Sequence, residues 1–280
     1  MYKSTTFAAS NYRPESYLLI VPALAADVTT NGVAYSGLTF YSLHMKSIRL
    51  FFTALTILLS LHTASAQYAL GNTGLLNAPS ADMQETGTFM AGINYMPDGM
   101  SPFNFNTANY FVNMTMLSCL ELSYRCTLLK TTRYDGHRGY YQQDRSMSAR
   151  LRLWHEKEQH WMPSLLVGVN DPFKDEGTNY YASVYGVATK SFSLQQGDRL
   201  AISAGYYIPL NHHTLQDGPV CGFSYSPAFC REAALLAEYD SKGFNLGASA
   251  RLWRHLSLYL FTREGKSVAG GIRYEYTLMH

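Results

Sequence analysis

Leu120-Glu121-Leu122-Ser123-Tyr124-Arg125-Cys126-Thr127-Leu128 is the stretch on which the fold turns. Apolar residues and Cys alternate with Glu, Ser, Arg and Thr. This is the period of a β-strand whose two faces meet different surroundings. The pattern recurs on both sides of it. Phe89, Ala91, Ile93 and Tyr95 alternate with Thr88, Gly92 and Asn94, and Tyr110, Val112, Met114 and Met116 follow the same rule. So do Met147 to Leu153, Phe244 to Leu252 and Val268 to Leu278. About twelve such segments start near residues 87, 106, 119, 144, 161, 178, 199, 219, 232, 243, 255 and 267. Segments of about ten residues, even in number, predict an all-β, antiparallel transmembrane β-barrel. A soluble β-sandwich also alternates, but its strands typically run about five or six residues.

Composition points the same way. Charged residues make up 15% of the 280, and aromatics 14%, with 22 Tyr and 21 Gly. The mean hydropathy is −0.13. Alternation hides a lipid-facing surface from such an average. The net charge of +2 gives no basic field for nucleic acid.

Met45-Lys-Ser-Ile-Arg49 is a basic start, Leu50 to Leu61 an apolar run, and Ala64-Ser65-Ala66 a small-residue cleavage pattern. Together they predict a secretory signal peptide over 45–66, too short to span a bilayer, with cleavage after Ala66 and Gln67 as the mature N-terminus. Residues 1–44 then read as an upstream extension from a misplaced start codon. Residues 67–86, rich in Gly, Asn and Pro turns, are expected as a periplasmic lead or cap, or a short buried segment. Residues 87–280 are expected to form the barrel. Connections at Pro97–Phe105, Thr131–Gln143, Asp171–Gly177 and Leu210–Gly218 read as long outer loops. Those at Ser118-Cys119, Glu158–His160, Ser193–Asp198 and Phe229–Arg231 read as shorter inner turns.

If the apolar rows face lipid, Glu121, Arg125, Arg150, Arg152, Glu238, Arg251, Arg273 and Glu275 face the lumen. They then serve either as internal ion pairs filling a narrow barrel or as a polar track for a sugar chain or ion. Cys119, Cys126, Cys221 and Cys230 show no metal-ligand spacing and are expected as free or structural thiols, since Cys119 and Cys126 fall on opposite strand faces. No Ser/His pair has a spacing that identifies a nucleophile and its base. The expectation is no enzyme, no metal and no cofactor. Gly271-x-x-Tyr274-x-Tyr276 resembles the C-terminal signal read by the barrel-assembly machinery, although four residues follow it.

One ordered set of motifs carries a family resemblance. Asp144-Arg145-Ser146 opens a strand, and Pro163 to Asp171 forms a P-x-x-x-x-G-x-x-D hairpin through Gly168. Gly177-Thr178 and the strand Tyr185 to Lys190 follow. With the lead Gly71 to Ala81, this resembles the YjbH-like family of outer-membrane proteins tied to exopolysaccharide production, here as a short, single-barrel member. The resemblance implies an outer-membrane location in a Gram-negative bacterium and a role in polysaccharide export or surface assembly. Expected partners are outer-membrane lipid, the barrel-assembly machinery, and exopolysaccharide with its export proteins. The motif residues read as folding determinants or as a binding surface; Asp144 and Arg145 are positioned to pair at the rim. The alternatives are a general pore or surface-structural barrel and, third, a barrel-rim enzyme.

Overall fold

A computed structural model describes residues 69–278 except 102, 158–160, 174–178 and 195–196. The predicted signal segment and cleavage site (Ala64, Ala66, Gln67), together with Gly177 and Thr178, lie outside the described residues.

Twelve strands follow one another in chain order: β1 (Thr88–Met96), β2 (Thr107–Leu117), β3 (Leu120–Thr132), β4 (Arg138–Trp154), β5 (Ser164–Asn170), β6 (Ser183–Ser193), β7 (Arg199–Pro209), β8 (Gly218–Ser226), β9 (Ala233–Tyr239), β10 (Phe244–Trp253), β11 (Leu256–Arg263) and β12 (Ser267–Thr277). Each pairs antiparallel with its sequence neighbours. β1 and β12 close the ring, from Thr88 opposite Thr277 to Tyr95 opposite Gly270. Closure satisfies the backbone groups that a sheet edge would leave open. The expected count of about twelve is met, and no α-helix occurs among the described residues.

The connections alternate between two ends of the barrel. The loop end carries 97–106, 133–137, 171–182, 210–217, 240–243 and 264–266. The turn end carries 118–119, 155–163, 194–198, 227–232 and 254–255. The loop-end connections 240–243 and 264–266 are short, so the wall is low beside β9–β12.

Two boundaries differ from the sequence reading. Thr131–Gln143 is not a long loop: β3 and β4 stay paired up to Thr132 and Arg138, leaving a tight turn at 133–137. Alternation is lost there because both faces of this tall ribbon meet water, so nothing selects apolar residues on one side. Between β4 and β5 the connection is longer than the Glu158–His160 turn, with Trp154 and Ser164 as its strand limits.

The outer wall is apolar on every strand, from Ile93 on β1 through Val112, Leu122, Leu151, Val184, Ile202 and Leu246 to Ile272 on β12, all of them exposed. The inward face divides in two. On β1–β4, β10 and β12 it carries mainly Asn, Ser, Thr, Glu and Arg, as the alternation predicts, and β9 and β11 are mixed. On β5–β9 and β11, however, Leu166, Tyr185, Val187, Tyr207, Val220, Leu236, Tyr259 and Phe261 point inward and are buried. These residues do not line water. They pack on Leu75, Leu76, Ala78 and Ala81, which come from the segment before β1.

Gly168 on β5 lies against this apolar half. A Cβ there would overlap the ring of Tyr185 on β6, which itself packs edge-on against Tyr207 at 5.2 Å. Tyr185 therefore leaves no room for a side chain at Gly168. Gly168→Val is expected to destabilise the barrel by about 1–3 kcal/mol, as overpacking of a filled core does. Urea titration of the folded form would check this.

Candidate functional site

The lumen is the chemically dense part of the molecule, and it is occupied by the chain itself. Residues 69–82 contain one charged residue, Asp82, and are nearly all buried. Its few polar side chains, Asn72, Thr73, Asn77 and Ser80, cannot satisfy all of its backbone groups, so a buried course needs donors and acceptors from elsewhere. The barrel wall supplies them.

The segment starts at the loop end. The Ala69 carbonyl accepts from Asn94 Nδ2 at 2.8 Å and Asn109 Nδ2 at 3.1 Å. Leu70 packs with Tyr181, Phe103, Tyr180 and Leu215 of the loop-end connections. Gly71 takes a left-handed conformation (φ 87°), and a side chain there would strike Phe111. Only glycine meets both demands. Ser123 Oγ donates to Asn72 Oδ1 at 2.6 Å. The chain then turns back between Gly74 and Pro79, with Leu75 N–H donating to the Ala78 carbonyl at 2.9 Å and Ala69 N–H to the Leu76 carbonyl at 2.6 Å. It passes Ser80 to Asp82 and enters β1.

Three carboxylates and one guanidinium hold this plug. Glu121 on β3 accepts the Thr73 N–H at 2.9 Å and Asn113 Nδ2 at 2.7 Å. Arg150, its neighbour on β4, meets Glu121 at 3.1 Å, and both side chains are wholly buried. Arg150 also donates to the carbonyls of Thr73 and Ser80, and to that of Asp82 at 3.2 Å. Across the lumen, Glu238 on β9 accepts three successive backbone donors: Leu76 at 2.9 Å, Asn77 at 2.6 Å and Ala78 at 3.0 Å. Consecutive N–H groups converging on one anion form a nest. Asn245 Nδ2 completes it at 2.8 Å. Asp240 accepts Asn77 Nδ2 at 3.1 Å and is ion-paired with Arg263. Hydrogen bonds to a charged acceptor are roughly twice as strong as neutral ones, so these anchors dominate the plug's polar attachment. Ala81 N–H, donating to Thr189 Oγ1 at 2.8 Å, adds a neutral one.

The inward-facing residues expected as a polar track therefore fall into separate roles. Glu121, Arg150 and Glu238 bind the plug. Arg125 lies 4.0 Å from the Tyr181 ring centre, beneath the 171–182 loop, and donates to Ser146 Oγ at 2.7 Å. Arg251 pairs with Glu275, which also meets Arg273 at 3.1 Å. Arg152 is half-buried at the turn end and donates to the Ser118 carbonyl at 2.5 Å. These charges face protein, and they do not line a continuous open track. Of the two places the sequence leaves for 67–86, residues 69–82 take the buried one and not a periplasmic cap.

The family-motif residues do not converge either. Asp144 and Ser146 point inward beside Arg125, whereas Arg145 is exposed on the outer wall. Asp144 and Arg145 cannot pair at the rim, because successive strand residues face opposite sides. Pro163 precedes β5 at the turn end. Asp171 follows β5 at the loop end with φ 47°, its N–H donating to the Met147 carbonyl at 2.7 Å. Lys190 reaches Glu156 at 2.5 Å, whose other oxygen accepts the Ser191 N–H at 2.9 Å. Partial burial works against ionisation of Glu156, but the Lys190 ammonium and the Ser191 N–H outweigh it and hold the carboxyl below its usual range. In the expected assembly signal, Gly271 faces inward against Asn94, while Tyr274 and Tyr276 are exposed on the outer wall flanking His255. All four cysteines are free thiols, and Cys119 lies in the turn before β3 instead of on the strand.

The turn end carries a titratable tie. Tyr225 Oη donates to Asp198 at 2.7 Å, and Ala228 N–H donates to its other oxygen at 2.8 Å, joining turns 194–198 and 227–232. The Tyr225 bond, then the Ala228 bond, pull the Asp198 pKa below its ordinary value. A depressed carboxylate stabilises the fold above its unfolded pKa, and that contribution is lost as pH falls through the folded one. Tyr225→Phe should raise the Asp198 midpoint toward its ordinary value in an NMR pH titration.

Asp240, Asn245, Asn113, Asn94, Asn109 and Thr189 take part in the plug's attachment, and sequence reasoning does not single them out for it. The available signal was the lead: fifteen residues from Gln67 to Ala81 without a charge, bounded by turns, in front of a barrel with charged inward positions. No curated protein matches the chain. A family model described as exopolysaccharide biosynthesis protein YbjH matches residues 66–222, which take in the plug and all but the end of the run β1–β8. This is more than half of the sequence, and the chain belongs to that YjbH family.

Proposed function

We propose that this protein is a non-enzymatic outer-membrane barrel, its lumen closed by its own lead, that supports exopolysaccharide export or surface assembly. Family membership supports the polysaccharide link. The apolar outer wall carries the membrane reading: every strand exposes large apolar side chains. Soluble proteins rarely expose apolar patches larger than a few hundred Å². The loop end faces outward and the turn end the periplasm, the order expected when both barrel termini are periplasmic. Residues 45–66 act as the export signal. Tyr274 and Tyr276 present the terminal strand to the barrel-assembly machinery, and export proteins engage the finished barrel from outside the lumen.

A general pore is the second reading, and the plug speaks against it, since Arg150, Glu121 and Glu238 hold protein where a solute would pass. The test has two parts. The protein should fractionate with outer membranes and migrate faster on gels unheated than boiled. Deleting its gene should lower secreted polysaccharide, with restoration by the wild-type copy. Recovery as a soluble periplasmic protein would overturn the membrane reading, and unchanged polysaccharide would overturn the functional one.

A further inference from the structure

At the loop end, a cleft of about 330 Å³ opens between the β1–β2 loop and the base of the β3–β4 ribbon. Its walls are Asp98, Asn104, Phe105, Asn106, Lys130 and Arg138. The volume is at the lower end of small-ligand sites, which run from about 300 to 1,000 Å³. It is tied together before any ligand arrives. Tyr140 Oη donates to the Asn106 carbonyl at 2.5 Å, joining ribbon to loop, and Asp98 N–H donates to Asn106 Oδ1 at 2.8 Å. Phe105 is stacked on Phe103, with ring centres 5.6 Å apart.

The charges are distinctive. The Lys130 ammonium lies 5.1 Å from the Tyr140 ring centre and 5.9 Å from that of Phe105. Among the described residues, neither Lys130 nor Arg138 has a carboxylate partner, and neither has the nearby Arg133. Two unneutralised cations, amide side chains and aromatic faces thus meet in one preformed recess. Aromatic faces stack on the C–H faces of sugar rings, amides bond hydroxyls, and cations bond carboxylates. Asp98 bonds hydroxyls without reversing the cationic balance. We propose that this cleft binds a carboxylated sugar unit of a polysaccharide chain, with Lys130 and Arg138 on the carboxylate and Phe105 under the ring.

The ligand's source rests on the polysaccharide reading given above; the cleft's chemistry does not. The purified full-length barrel in detergent should bind hexagalacturonate saturably by calorimetry and not bind neutral maltohexaose. Lys130→Gln/Arg138→Gln should weaken hexagalacturonate about tenfold or more, a ratio that corresponds to about 1.4 kcal/mol, and Phe105→Ala should weaken it too. Each variant must keep heat-modifiable migration; Lys242→Gln, at a distant loop, should leave binding unchanged. No saturable binding, binding indifferent to the double variant, or equal competition by inorganic phosphate would overturn the site. Variant-sensitive binding only to lipopolysaccharide-bearing vesicles would overturn it in favour of a lipid headgroup. If hexagalacturonate fails to bind while gene deletion still lowers polysaccharide, the cleft is wrong and the functional reading stands. The reverse pattern keeps the cleft and removes the functional reading.

Discussion

Arg150→Met is expected to cost about 3–5 kcal/mol of barrel stability, because it leaves a buried charge without its counter-ion. Glu121 has no exposed surface, and Arg150 is its ion-pair partner. The same substitution strips the plug carbonyls of Thr73, Ser80 and Asp82 of their shared donor. Removing both charges in Arg150→Met/Glu121→Leu should recover part of the loss, since replacing a buried pair by apolar groups is often near neutral. Recovery will be incomplete, because the Thr73 N–H loses its acceptor as well. Urea titration read by heat-modifiable migration measures all three proteins. A double variant as damaged as the single would show that the pair is not the source of the effect.

Leu151→Arg, one residue along the same strand, should impair assembly for a different reason. Leu151 is exposed on the outer wall. An Arg facing lipid costs about 2–4 kcal/mol at mid-membrane and less toward the interfaces. Leu151, opposite Leu120 beside the 118–119 turn, lies toward the turn-end interface, so the lower part of that range is expected. Tyr134→Arg is the control: Tyr134 is fully exposed in the 133–137 turn, beyond the barrel wall, and should tolerate the change. Yield of assembled barrel in outer membranes reads the difference. Equal yield from both variants would mean that no lipid face exists at Leu151.

These neighbours show what a sequence of this kind carries. Alternation alone separates Leu151 from Arg150 and assigns their faces correctly, because strand geometry couples each residue's side to its parity. The same logic places nearly every strand, since each must turn an apolar row outward. It fails where that condition lapses. The ribbon from Thr131 to Gln143 has no dry face, so its pattern looks like a loop. On β5, Leu166 faces inward and Val167 outward, and both are apolar, so the row facing the plug cannot be told from the outer row. The plug itself is the largest gap. Alternation makes Arg150 a lumen residue that solvent would tolerate losing, whereas the lead makes it an anchor. That partnership joins residues 77 positions apart through backbone carbonyls, and backbone acceptors leave no mark in a side-chain pattern.

The claim that residues 69–82 close the lumen is tested most directly by conductance across planar bilayers containing the purified protein. The wild-type barrel should insert without steady ion current, and a variant lacking residues 69–82 should conduct in discrete, stable steps. Steady current through the wild type, of the same size as through the deletion variant, would contradict the plugged barrel.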